Sequence, residues 1–182
     1  MMRGPFGPGT IVLGGGALLL FVALGIGLLL PTEWEAGASG TIDATPAEVL
    51  VFLDSPEGWQ AWTPWPEGGL VRSGPERGGG ASIRWEDAEV GSGSFTIDSV
   101  ESGRSVSYSV RVAGAGGAVM RTDGSVSITP VADGGVSIRW TETGDLGRNP
   151  IMGYWALSME RAQSVEMAKG LDRLAEIVRA GR

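Results

Sequence analysis

The sequence predicts an α+β domain: a curved antiparallel sheet of about seven strands closed by a long C-terminal helix, with one transmembrane helix ahead of it. Three observations predict this. Between Leu70 and Thr141, apolar residues recur at every second position in several runs, separated by glycine-containing turns and by no helix. From Ile151 to Ala180 the composition is helical. From Thr10 to Leu30 there is no charged residue.

The apolar stretch comes first. Twenty-one helical residues span about 31 Å, which matches a hydrocarbon core of about 30 Å. Pro31 and Thr32 end it, and Trp34 takes the place of an interfacial aromatic. The competing reading is a cleaved signal peptide, with Ala36-Gly37-Ala38 as the cleavage site. Arg3 precedes the stretch and no basic residue follows until Arg72. Charge asymmetry then places the N-terminus in the cytoplasm and the remainder outside the inner membrane. The expected organisation is a tail over 1–9, a transmembrane helix over 10–31, a linker over 32–40 and one domain over 41–182.

A first strand is expected over Ser39 to Ala44. Thr45-Pro46-Ala47-Glu48 has the spacing of a capping box, with proline at the first helical position. A second short helix follows from Pro56 to Trp62, and the prolines of Trp62-Thr63-Pro64-Trp65-Pro66 exclude regular helix there. Then come the alternating runs. They are Ile83/Trp85, Phe95/Ile97, Val106/Tyr108/Val110/Val112, Val126/Ile128 and Val136/Ile138/Trp140, each with polar residues between. One dry and one wet face per strand indicates a sheet covered on one side. Gly91-Ser92-Gly93, Glu101-Ser102-Gly103, Asp123-Gly124 and Asp133-Gly134-Gly135 are expected to be turns. After Asn149-Pro150 the helix carries two apolar stripes. Ile151, Trp155, Met159 and Ala162 form one, and Met167, Leu171, Leu174 and Val178 form another, rotated by well over 90°. The offset predicts a bend between Ala162 and Glu166.

Composition excludes several functions. The 182 residues contain no cysteine and no histidine. Disulfides, thiolate nucleophiles, His-dependent triads and Cys/His zinc sites are thereby ruled out. A net charge of −7 argues against a nucleic-acid partner. Arg77-Gly78-Gly79-Gly80-Ala81-Ser82 lacks the Gly-Lys-Ser/Thr of a phosphate loop and is expected to be a turn. No calcium-loop pattern surrounds the Asp-Gly pairs, so neither a metal nor another cofactor is expected.

Five segments in order carry a family resemblance. Thr41-Ile42-Asp43-Ala44-Thr45-Pro46-Ala47-Glu48-Val49 opens it, and Gly58-Trp59-Gln60-Ala61-Trp62-Thr63-Pro64-Trp65 follows. Gly78 to Trp85, Gly134 to Trp140, and Met159 to Leu174 with its Gly170-Leu171 complete it. Together they resemble the SRPBCC (START-like) superfamily, and within it the polyketide cyclase/dehydrase group, over most of Thr41 to Val178. Val136 and Met167 depart from that pattern, in which threonine and phenylalanine are usual. So does the Gly/Ala loop 113–118. The resemblance implies a helix-grip fold, with a pocket between sheet and C-terminal helix that takes apolar small molecules such as lipids, isoprenoids or polyketides.

An aromatic-lined apolar pocket suits such ligands. Trp85, Tyr108, Trp140, Trp155 and Met159 are the candidate ligand-binding residues, with Phe95 and Met120 as further wall; the alternative is that they fill the core. Trp62 and Trp65 are expected to be packing residues. Glu86, Asp98, Glu101, Glu142 and Glu160 are expected on wet faces or in loops, paired with Arg84, Arg111 and Arg139. No catalytic constellation emerges, although Tyr108 on the dry face could orient a ligand oxygen. The expected role is membrane-anchored binding or transfer of a hydrophobic small molecule, with the bilayer engaged through 10–31. A cavity enzyme acting on such a ligand and a cavity-free scaffold for a membrane partner are the alternatives.

Overall fold

Alternation of apolar and polar residues builds seven strands into one antiparallel sheet. The computed structural model describes residues 8–66, 68–88, 91–113, 119–132, 134–146 and 150–181, excepting the side chains of 8–14 and 157. The strands are β1 (Glu33–Ile42), β2 (Val71–Ser73), β3 (Ser82–Asp87), β4 (Gly91–Glu101), β5 (Ser105–Ala113), β6 (Val119–Pro130) and β7 (Val136–Asp145). Their order is β1-β7-β6-β5-β4-β3-β2. The first strand thus joins the last, and the other five follow as a meander. A register shift between Ile97 and Ser99 bulges β4 against β5, a device that bends a sheet. The helices are α1 (Pro8–Leu29), α2 (Pro46–Leu50), α3 (Pro56–Gln60) and α4 (Pro150–Ala180).

The expected capping box forms. Thr45 Oγ1 accepts from the Glu48 backbone N–H at 3.3 Å, and the Glu48 carboxylate accepts from the Thr45 backbone N–H at 2.7 Å. Ser55 caps α3 with a single bond, accepting from Gly58 N–H at 3.1 Å. These caps hold two five-residue helices that are too short to persist alone. Thr45→Ala is expected to lower stability by about 1 kcal/mol. Thermal unfolding measures it, and an unchanged midpoint would show that α2 is held by packing alone.

Several expectations are corrected. The linker expected over 32–40 is strand: Glu33 to Ile42 pairs residue for residue with Asp145 to Val136. Its alternation buries Trp34 and Ala36, so Trp34 is a core residue and not an interfacial anchor. Cleavage after Ala38 would remove both side chains and half the strand. Asp123-Gly124 is not a turn but lies within β6, and Gly93 lies within β4. The Glu101–Gly103 turn forms as expected, with Arg104 N–H donating to Glu101 O at 2.9 Å. The loop 114–118, Asp133 and Asn149 lie outside the described residues.

No break occurs in α4, which is one helix of 31 residues. Of the two apolar stripes only the second is buried: Ile151 is 60% exposed and Trp155 55%, so their offset marks a largely exposed face near the helix start and not a bend. Near its start, Gly153 meets Leu30 and Gly27 of the preceding chain, and Tyr154 Oη donates to Ala23 O at 2.8 Å. In the middle, Ser164 Oγ accepts from the free edge of β1 at Gly37 N–H, 3.3 Å away. Farther on, Met167, Gly170, Leu171, Leu174 and Val178 are buried against the sheet. Among the described residues no helix is long and apolar enough to cross a membrane, so the transmembrane expectation for 10–31 rests on sequence alone.

Candidate functional site

Aliphatic side chains fill most of the space between sheet and helix. Val49, Leu53, Ile83, Ile97, Val106, Val126, Ile138 and Leu174 are all essentially inaccessible. Where the inward positions turn aromatic, a hollow of about 350 Å³ remains, partly open to solvent. That volume lies at the small end of ligand pockets. Trp65, Trp85, Phe95, Tyr108, Trp140 and Glu142 are among its walls.

The tryptophan segment after α3 forms one side. Trp59 Nε1 donates to Leu53 O at 2.7 Å, and Trp62 Nε1 donates to Phe52 O at 3.2 Å. Trp65 Nε1 donates to Thr63 Oγ1 at 2.8 Å, and Arg173 of α4 ties Trp62 O at 2.8 Å. Each indole N–H is satisfied at the edge of the segment, which leaves the ring faces for packing. Trp59 is the hub. Its ring centroid lies 4.6 Å from Tyr108, 4.7 Å from Trp62, 5.3 Å from Phe95 and 5.8 Å from Trp140. Trp65 stands edge-on to Trp85 and Phe95.

The floor is polar. Tyr108 on β5 faces Gly124 on β6, and Gly124 faces Glu142 on β7. Three residues thus form a row across three strands. Because the middle one has no side chain, the Tyr108 ring lies over β6 and its hydroxyl donates to Glu142 Oε1. Trp140 Nε1 donates to Tyr108 Oη at 2.6 Å, and Gln163 Nε2 of α4 donates to Glu142 Oε2 at 2.6 Å. Glu142 is 6% exposed. Burial pushes its carboxyl above the usual carboxylate range, while the bonds from Tyr108 and Gln163 pull it back. Burial likewise pushes the Tyr108 hydroxyl well above its ordinary value, and the Glu142 charge adds to this.

The expectation that Glu142 sits on the wet face is therefore overturned. It shares parity with Val136, Ile138 and Trp140, all buried, and strand alternation could have found it. Arg84, Arg111 and Arg139 do not form the expected cross-strand pairs. The ion pairs among the described residues are Arg72–Glu57, Arg77–Asp54, Arg121–Asp123 and Lys169–Glu166.

The family model described as polyketide cyclase / dehydrase and lipid transport matches residues 34–179. The chain belongs to this family. Its fold also recurs in solved structures. A protein from Rhizobium leguminosarum is 16% identical, with a TM-score of 0.57 over 81% of this chain and 95% of that one. Norcoclaurine synthase from Thalictrum flavum, solved with a transition-state analogue, is 10% identical, with a TM-score of 0.63 over 82% and 96%. A protein of the dynemicin biosynthetic locus is 17% identical, with a TM-score of 0.56 over 81% of this chain and 48% of that one. At these identities the likeness shows the fold. No curated protein matches the chain.

Of the candidate residues in this polyketide cyclase/dehydrase family member, Trp85, Tyr108 and Trp140 line the hollow. Trp155 does not. It is 55% exposed, because the first turns of α4 lie against α1 through Gly153 and point Trp155 away. Met159 is half-buried and packs against the core without lining the hollow. Phe95 is in the wall, whereas Met120 borders a separate, larger hollow with exposed acidic walls. Trp65, expected only to pack, is wall as well. Gln163 carries no periodic signal that would have marked it, since its role depends on where α4 crosses the sheet.

Glu142 predicts a pH effect. A carboxyl raised in the folded state binds its proton more tightly there than in the unfolded chain. Its contribution to stability is present at acid pH and declines as pH rises from the ordinary glutamate value through the raised one. Relative to Glu142→Gln, the wild-type protein is expected to lose stability across that window and run parallel to it elsewhere. Chemical denaturation at a series of pH values checks this, and parallel curves throughout would sink it.

Proposed function

We propose that this chain binds an apolar small molecule in the hollow between sheet and α4 and carries it near a membrane. The supporting observation is a space of about 350 Å³, walled by aromatic rings and holding a polar cluster on its floor. Large ring faces supply affinity for an apolar body, and a few placed polar groups orient it. The family description, which includes lipid transport, agrees with this reading. The tether and the placement of the domain outside the inner membrane rest on the uncharged run Thr10 to Leu30 and on Arg3 before it.

Native mass spectrometry of the full chain tests the binding. A retained apolar mass is expected, and it should be lost in Val110→Phe, which fills the hollow from its wall. A clean apo mass with no uptake of apolar probes would end the proposal. Resistance of the chain to carbonate extraction from membranes tests the tether.

The second reading is a cavity enzyme, favoured by the buried Tyr108–Glu142 pair. A hydroxyl and a carboxylate in direct hydrogen bond can pass a proton to or from a ligand. Tyr108→Phe separates the readings, because turnover lost with binding retained would make the hollow an active site. The hollow favours both of these readings over the cavity-free scaffold.

A further inference from the structure

The hydrogen bonds at the cavity floor run in one direction. An indole N–H can only donate, so Trp140 makes Tyr108 Oη an acceptor, and the tyrosine's single proton goes to Glu142. Gln163 donates to the other carboxylate oxygen. Both oxygens accept, which is the arrangement of an ionised carboxylate. Among the described residues the ion pairs lie elsewhere and none reaches Glu142. Two other charged side chains line the hollow, both from α4. Glu166 is paired with Lys169, and Arg173 holds Trp62 O through its Nε.

Trp59, Trp65, Trp85, Phe95 and Trp140 line the same hollow as this carboxylate. Aromatic faces carry the negative part of the ring quadrupole and attract cations, most strongly when water is excluded. A buried carboxylate without a cationic partner has the same preference. Both features repel an anion.

We propose that the ligand is cationic: a protonated amine on an apolar body, with its ammonium on Glu142 and its body among the tryptophans. The inference rests on the apolar-ligand reading above and narrows it to one chemical class. The carboxylate and the ring faces disfavour a free fatty acid or another carboxylate, with Arg173 the one cation among the described residues of the lining. Burial of Glu142 fits a site whose charge is completed by its ligand, since the ammonium would compensate the desolvation that the carboxylate bears alone.

Three probes of one skeleton test it: naphthylmethylamine, naphthylmethanol and naphthoate, titrated calorimetrically into the full chain in detergent. The amine is expected to bind roughly tenfold more tightly than the alcohol, with the carboxylate weakest. In Glu142→Gln the ratio of amine to alcohol affinity is expected to fall to about one. A wild-type protein that prefers the alcohol or the carboxylate overturns the cation and leaves the apolar-ligand reading standing. Failure of all three probes overturns both.

Should Glu142→Gln not fold by circular dichroism, a pH series on the wild-type protein decides. Tyr108 and Trp140 face Glu142 from the sheet, and Gln163, Glu166 and Arg173 line the hollow from α4. Of these, Glu166 is held below the ordinary range by Lys169, so Glu142 is the group that ionises above that range. The amine-to-alcohol ratio must rise with pH as it does so. A flat ratio overturns the proposal.

Discussion

Gly124→Ala is expected to cost about 3 kcal/mol or more, a penalty of the size seen for overpacked cores and broken buried networks. The added Cβ would lie 2.2 Å from Tyr108 Cζ and 2.5 Å from its hydroxyl oxygen. The ring borders the hollow but is held by its neighbours. It is 2% exposed, with Trp59 at 4.6 Å and Phe95 at 5.1 Å between centroids. Any escape takes its hydroxyl from Glu142 and Trp140 and leaves a buried carboxylate with one donor fewer. The cost therefore combines a steric clash with desolvation. Thermal unfolding followed by near-ultraviolet circular dichroism measures it. A midpoint within a degree of wild type would show that β6 yields enough to admit a methyl group, and the row from Tyr108 to Glu142 would then not depend on a bare backbone.

Trp59→Ala is the other large effect, with an expected loss of about 3–5 kcal/mol. Trp59 is 2% exposed, touches four other aromatic rings and anchors the segment after α3 through Leu53 O. Removing it merges its own volume with the hollow, and its neighbours are rigid rings that cannot collapse inward. Trp155→Ala is the matched control. At 55% exposure it is expected to change stability by no more than about 0.5 kcal/mol. Denaturant midpoints for the two variants suffice, and equal midpoints would mean that the aromatic cluster adds nothing beyond what a surface tryptophan does.

The strands were legible because burial on one face imposes a period of two that each run displays within five or six residues. The same parity placed Trp85, Tyr108 and Trp140 inward, and all three are wall. Glu142 was equally legible by parity and was missed because its charge suggested water. The glycines were harder to interpret. Gly93, opposite Trp85, and Gly124, opposite Tyr108, look like turn formers in sequence, yet each makes room for an aromatic ring on the neighbouring strand. A glycine under an aromatic ring and a glycine in a turn cannot be told apart until the pairing register is known.

What the chain determines by itself is local: the alternation of each strand, the caps at Thr45 and Ser55, and the absence of any histidine or cysteine chemistry. These depend on neighbours a few residues apart, and so they can be read from a linear string. Only the tertiary structure decided that β1 begins at Glu33, that α4 passes unbroken from one partner to another, and that Gln163 meets a carboxylate held by Tyr108. Those outcomes depend on register between strands and on where a helix crosses a sheet. Both are set by the packing of surfaces brought together by folding, and no short stretch of sequence contains them.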